Sequence, residues 1–231
     1  GAVQGLVGWL MVKSGLIDIP RVSHYRLATH LLLATLLLCL CFGLAVFWKD
    51  PRSRICSRKA LQLSYWVSFF GVLVGVQIIY GALVAGLRAG FIFNTFPKMG
   101  NEWVPDLLFS PKPIWLNLFQ SSMTVQFIHR TLGIAILLYA LWLTFYGLRM
   151  RELTPRQRQP LREVALMGFI QVVLGITTLV YAVPITFAVL HQITAFLLAL
   201  ITVRLFLELR YPVVKSQAAV SPEQSHQAYS D

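Results

Sequence analysis

"SMTVQFIHRTLGIAILLYALWLTFYG", residues 122–147, is apolar almost throughout, apart from His129 and Arg130 side by side near its start. No charged side chain occurs between Thr131 and Gly147. A helix crosses the hydrocarbon core of a bilayer with about 20 predominantly apolar residues, so this stretch is long enough to span. In a helix every backbone polar group is satisfied within the segment, as lipid demands. The stretch therefore predicts a membrane-crossing helix that carries an imidazole two turns from one end.

Similar stretches lie on both sides of it. Spans are expected at about 27–48, 64–86, 122–147, 164–182 and 185–207, the last two joined by a tight turn at "AVP". Residues 1–12, "GAVQGLVGWLMV", are apolar but too short to cross, and read as the exit half of a helix that starts upstream. The chain of 231 residues is 57% hydrophobic and 13% charged, whereas soluble domains carry about 25% charged residues. The fold class is all-α integral membrane, with about six spans, the first partial.

A net charge of +11 raises the question of nucleic acid, but its distribution answers it. Lys49, Arg52, Arg54, Arg58 and Lys59 share one connection; Arg149, Arg151, Arg156, Arg158 and Arg162 share another. If each apolar stretch crosses once, both lie on the same face and form a positive-inside signal, with anionic lipid headgroups as neighbours. No basic surface interleaved with aromatics is present, so nucleic acid is excluded as a partner. Cys39, Cys41 and Cys56 form neither a CxxC pair nor a CxxCH site, which argues against a thiolate metal centre and covalent heme. No removable signal peptide is visible.

Parity places His30, His129 and His191 shortly after their spans begin, in one layer near the outer face. His129 lies roughly 10 Å past Met123, and His191 roughly 10 Å past Pro184, at 1.5 Å per residue. The other spans repeat a different pattern: Gln4 with Gly8, Gln77 with Gly81, Gln171 with Gly175. Each is a glutamine one turn before a glycine, in a span preceding a histidine span. The order Gln-helix, His-helix occurs three times, as duplicated helix pairs would give. Residues 64–207 then make a complete four-helix bundle with an outside loop at 87–120, and residues 1–48 supply a helix pair of a second, pseudo-symmetric half. Residues 49–63 form the basic inside loop and 208–231 a polar inside tail, in which His226 is a solvated bystander.

Ionisable residues within spans are rare, costly and usually face a bundle interior. Two imidazoles reaching inward from opposed helices at matched depth are what axial ligation of heme iron requires, and a four-helix bundle is a natural container for it. His129 and His191 are the expected pair, and His30 one ligand of a second site. A mononuclear metal would want three or four close ligands, and no Asp or Glu lies in the outer half of any span. Arg130 and Arg26 are placed either to pair with heme propionates or to snorkel to the interface. The glutamines suit a heme edge or, preferably, a facing helix. The outside stretch "RAGFIFNTFPKMGNEWVP" (88–105) interleaves Phe91, Phe93, Phe96 and Trp103 with turn residues, as a lid on the bundle mouth or an interfacial aromatic belt would.

"QGLVGWLMVKSGL" (4–16), "VSHYRLATH" (22–30), "GLRAGFIFNTFPKMGNEWVP" (86–105), "MTVQFIHRTLGI" (123–134) and "VLHQ" (189–192) together resemble the heme A synthase family of the mitochondrial and alphaproteobacterial type. The resemblance extends to about residue 210 and is most specific over 86–105. It implies eight spans in two pseudo-symmetric halves and oxidation of the C8 methyl of heme O to the formyl group of heme A, for cytochrome oxidase biogenesis. By resemblance, His129 and His191 ligate a heme b, and His30 is one of two histidines where heme O reacts. The second of those histidines and an acidic residue would lie upstream of Gly1, so the catalytic residues are not assigned and the chain alone is expected to be incomplete for turnover. Arg88 stands where family members often show Asp, and Ile128 where relatives can carry Asp. An outside cysteine pair of some bacterial relatives is absent.

The resemblance further implies an electron donor such as a ferredoxin, heme O synthase as a possible partner, and a bacterial cell membrane or mitochondrial inner membrane. The basic loops and C-terminus would face the cytoplasm or matrix. The alternative from the residues is a bis-His diheme membrane cytochrome b passing electrons from quinol. A transporter is disfavoured, because the broken helices and charges expected near the midplane are missing.

Overall fold

The computed structural model describes residues 1–15, 23–53, 55–108, 110 and 113–213. Its helices are α1 (Ala2–Gly15), α2 (His24–Lys49), α3 (Arg58–Gly86), α4 (Ile114–Gln120), α5 (Ser122–Arg149), α6 (Pro155–Val180) and α7 (Ile185–Arg210), with a 3₁₀ turn at Ala89–Phe91. Among the described residues, α2, α3, α5, α6 and α7 are long and apolar enough to cross a membrane. The protein is a multi-pass, all-α membrane protein.

Local sequence sets the helix starts. Ser57 accepts a hydrogen bond from the Ala60 amide, and Ser121 one from the Thr124 amide. Thr154 forms a reciprocal capping box with Gln157, and Pro155 occupies the first helical position. This box explains why α6 begins at Pro155 and not near 164: Arg156, Arg158 and Arg162 stand on a helix, not in a loop. The segment 87–120 likewise holds a helix not expected from the sequence, α4, preceded by Pro113; ahead of it the Thr124 hydroxyl of α5 donates to the Leu108 carbonyl over 2.6 Å. Residue 226 and the tail beyond 213 lie outside the described residues.

α3 packs on α5, α5 on α6, α6 on α7 and α7 on α3, closing a ring of four. α2 lies against α3 and α7, and α1 lies on α2. The core of the ring runs through Leu63, Val67, Phe70, Val74, Ala140, Leu143, Leu161, Val164, Leu198 and Leu205, all buried. In lipid such helices associate through close packing and polar contacts, not through exclusion of water. Gly147 illustrates the fit: a Cβ there would come within 2.6 Å of Leu161 Cδ1 and 3.3 Å of Leu63 Cδ2.

The α6–α7 turn is tight because Ala182 and Val183 both adopt left-handed backbone, with φ of 57° and 60°. Such angles are unfavourable for residues with a Cβ, above all a β-branched one. The Val183 amide donates to the Thr178 carbonyl over 2.7 Å, and Gly90 leaves the room its side chain needs, since a Cβ there would lie 2.8 Å from Val183 Cγ2.

At the other end of the bundle the basic connections are partly internal. Arg52, read from sequence as a loop cation, is buried instead, because Glu208 is buried beside it. Arg52 also donates to the carbonyls of Val46, Leu207 and Tyr211. Arg156 bridges Glu208 and Asp50, and Gln157 donates to the Glu208 carbonyl over 2.9 Å. α7 therefore continues to Arg210 where the sequence suggested a tail from 208.

Candidate functional site

α3 and α6 each touch both α5 and α7, so α5 and α7 stand on opposite walls of the ring. From those walls His129 and His191 reach inward to ring centroids 6.4 Å apart, with planes at 84°. They line a cavity of about 360 Å³ together with Gln77, Gly81, Gly133, Gln171 and Gly175. This falls in the range of small-molecule and cofactor sites, roughly 300–1,000 Å³. No Asp or Glu is among its lining residues, and no cluster of metal-ligand type occurs among the described residues.

Each ring is seated in the same way. A Cβ on Gly81 would lie 3.3 Å from Cε1 of His129, and one on Gly175 would lie 3.0 Å from Cε1 of His191. Gln77 Nε2 donates to the His129 carbonyl over 2.9 Å, and Gln171 Nε2 to the His191 carbonyl over 3.0 Å. The Thr194 hydroxyl in turn donates to Gln171 Oε1. The glutamines thus make the helix–helix contact preferred from sequence, each to a histidine carbonyl, and Gln171 Nε2 also lies 3.4 Å from Nε2 of His191.

The residues fit a heme. Nδ1 of His129 and Nδ1 of His191 are both buried with no hydrogen-bond partner, a situation that disfavours a ring held only for packing. Two metal–imidazole bonds of about 2 Å, plus about 1 Å from each donor nitrogen to its ring centre, separate such centroids by about 6 Å. The observed spacing agrees. The glycines leave flat surfaces beside the rings, and the lining is mostly apolar.

Over the mouth lies the segment 88–105. Phe91 and Phe96 line the cavity there, with Arg88, Arg130 and Val183, whereas Trp103 points away as an exposed side chain. Arg130 donates to the carbonyls of Phe93, Thr95 and Lys98, and Gln126 also donates to Phe93. Asn94 donates to the carbonyls of Gly90 and Leu179, tying the segment to the end of α6. Neither Asn94 nor Gln126 was singled out from sequence; only their place beside the aromatic stretch could have drawn attention to them. Arg130 keeps Nε buried and unpartnered beneath this segment.

His30 is not brought to this cavity. It stands on α2 against α1, where Gln4 Nε2 donates to its carbonyl over 3.1 Å and lies 3.1 Å from its Nδ1. A Cβ on Gly8 would lie 3.0 Å from its Cε1. The seat is the third of its kind. Arg26, one turn before His30, is exposed. His24, unremarked in the sequence, packs on Gly86, where a Cβ would come within 2.5 Å of the His24 Cβ, and its Nε2 is buried without a partner.

Residues 1–203 match the profile of the cytochrome oxidase assembly proteins, COX15-CtaA. The chain belongs to that family. It is 43% identical over 199 residues to "Heme A synthase" of Wolbachia pipientis wMel, a match covering 86% of this chain and 54% of that one. It is 40% identical over 211 residues to "Heme A synthase COX15" of Bos taurus, covering 88% and 50%. Against "Heme A synthase" of Nitrosospira multiformis the identity is 39% over 201 residues, covering 86% and 56%. This family member therefore spans about half the length of the curated relatives it matches. No solved structure matches it.

Proposed function

We propose that this family member forms the heme-holding part of a heme A synthase, a membrane oxidoreductase that converts the C8 methyl of heme O into the formyl group of heme A for cytochrome oxidase. The observation that carries the reading is the His129–His191 pair, with ring centroids 6.4 Å apart in an acid-free cavity. Relatives bearing that name at about 40% identity supply the reaction.

In this reading His129 and His191 would hold a heme b, which would supply one-electron transfer. The surrounding residues do the rest: the glutamine and glycine seats hold the rings, and Phe91 and Phe96 add apolar surface at the mouth. Arg130, held at the mouth by the loop carbonyls, sets a positive charge where a propionate edge would lie. His30 is a metal ligand of a separate site that takes heme O, with Arg26 on the same helix one turn away. The reaction needs a reductant, for which a ferredoxin is suited, and heme O synthase is a possible partner that would supply the substrate. The basic connections suit the cytoplasmic face of a bacterial membrane or the matrix face of the mitochondrial inner membrane.

The test is the spectrum of the purified protein. Low-spin heme is expected in the parent chain and absent in His129→Ala and in His191→Ala; its retention in either variant overturns the ligand assignment. Expression beside a heme O source with extraction of the hemes then separates the chemistry. Heme O retained by the parent chain and lost in His30→Ala supports the synthase, whereas electron transfer from quinol with no heme O retained supports a cytochrome b.

A further inference from the structure

The three glutamine–glycine pairs have one geometric reason. Side chains on a helix tilt toward its own N-terminus, while backbone carbonyls point toward its C-terminus. On α2, α5 and α7 the histidine ring therefore leans toward the loop end of the bundle, and its carbonyl points into the membrane. The partner helix runs the opposite way. Its glutamine, met first, lies level with the carbonyl, and its glycine, about 6 Å further along, lies level with the ring.

The hydrogen bonds agree in all three copies. Gln4, Gln77 and Gln171 donate to the carbonyls of His30, His129 and His191 over 3.1, 2.9 and 3.0 Å. The ring contacts agree too, with Gly8, Gly81 and Gly175 each 3.0–3.3 Å from Cε1 when given a Cβ. A carbonyl oxygen has two lone pairs, so it can accept from the glutamine as well as from its own helix. On α5, Gly133 keeps that approach open: a Cβ there would lie 3.0 Å from Gln77 Nε2.

We propose that Gln77 and Gln171 are positioning residues for the two heme ligands, and that Gln4 serves His30 in the same way. The inference rests on the heme reading above. The glutamine sets the height of the histidine backbone and the glycine sets how far the ring can retreat. Together they hold the imidazole at one depth and one rotation before any cofactor arrives. The two ligands are not held equally. Gln171 is itself anchored by Thr194, whereas Gln77 Oε1 is buried with no partner. Replacing Gln77 by an apolar side chain of similar length thus removes the stop on His129 together with an already unpaired oxygen, so folding suffers little while ring placement suffers fully.

The experiment uses the heme-loaded full chain, comparing the parent protein with Gln77→Met and Gln171→Met by low-temperature EPR and by hemin titration. The orientation of the axial imidazoles sets the low-spin g-values, and loss of a residue that orients a ligand weakens metal binding by about 10–100-fold. Both shifted g-values and weaker hemin binding are expected in Gln77→Met, with near-parental thermal stability. Gly81→Ala, which leaves every hydrogen bond in place but crowds the ring, should also shift the g-values and carries the test if Gln77→Met does not accumulate. A parent protein without low-spin heme overturns the heme reading itself. Parental g-values and affinity in heme-loaded Gln77→Met overturn the positioning role.

Discussion

Arg52 and Glu208 form an ion pair inside the protein, with Nη2 3.3 Å from Oε1 and each side chain only 2% exposed. Removing Glu208 leaves the buried Arg52 charge uncompensated, at about 3–5 kcal/mol, whereas removing Arg52 leaves Glu208 its Arg156 partner but takes the donor from the carbonyls of Val46, Leu207 and Tyr211. Arg52→Ala and Glu208→Ala should each lower the melting temperature in detergent markedly. Arg52→Met with Glu208→Leu should recover part of the loss. Equal stability of the single variants and the parent would refute the account.

Arg130 donates to three carbonyls of the segment 88–105: that of Phe93 in a partly buried bond and those of Thr95 and Lys98 in exposed ones. Such bonds contribute about 0.5–1.5 kcal/mol each. In Arg130→Ala, hydrogen exchange across residues 93–100 should rise strongly while the α3–α5 core stays protected. Unaltered exchange in that segment would mean that other contacts hold it.

His30 lies outside the cavity that His129 and His191 share, so His30→Ala should leave the low-spin heme spectrum of that cavity unchanged. Loss of the spectrum in this variant would show that the seats on α2 and α5 are coupled.

Gly147 accepts the tip of Leu161, which is fully buried. Gly147→Ala should destabilise by about 1–3 kcal/mol through overpacking, visible as a lower unfolding midpoint. Pairing it with Leu161→Val should relieve the strain; if the double variant is worse than both singles, the contact is not the cause.

Outside the spans, the Arg156 guanidinium holds the Asp50 carboxyl below the usual carboxylate range, and Lys59 does the same for Glu152. A carboxyl depressed in the folded state contributes stability above its unfolded pKa and loses it as pH falls through the folded value. Glu152 is exposed and Asp50 partly so, and solvent screening keeps the contribution small. The melting temperature should therefore be flat near neutrality, decline gently only below about pH 4, and decline less in Asp50→Asn.

The spans and the facing of His129 with His191 were legible because lipid forces a long apolar run into a helix and makes an internal imidazole conspicuous. Gln77 and Gln171 were visible as a repeat, yet not their acceptor, since a backbone carbonyl leaves no trace in a sequence. Arg52 was misjudged for a related reason: its partner Glu208 is 156 residues away, and only the packing of α7 brings the two together. The first turns of α6 were missed because a capping box turned what looked like a charged linker into helix. Asn94 and Gln126 act on main-chain oxygens of an irregular segment, where neither period nor spacing gives warning.

The two histidine seats differ in how far apart along the chain their halves are. Gln171 and His191 are separated by 20 residues and a four-residue reverse turn, Gln77 and His129 by 52 residues and the whole segment 87–120. Contacts between near neighbours form early and those closing long loops form late. When the full-length chain folds, one jaw of the site is thus ready as soon as the final hairpin forms, and the other shuts afterwards, so loading has a natural window while the vice is half open. On refolding of the complete chain into lipid, cysteine cross-links should appear between positions 171 and 191 before they appear between 77 and 129, and the reverse order would rule that window out.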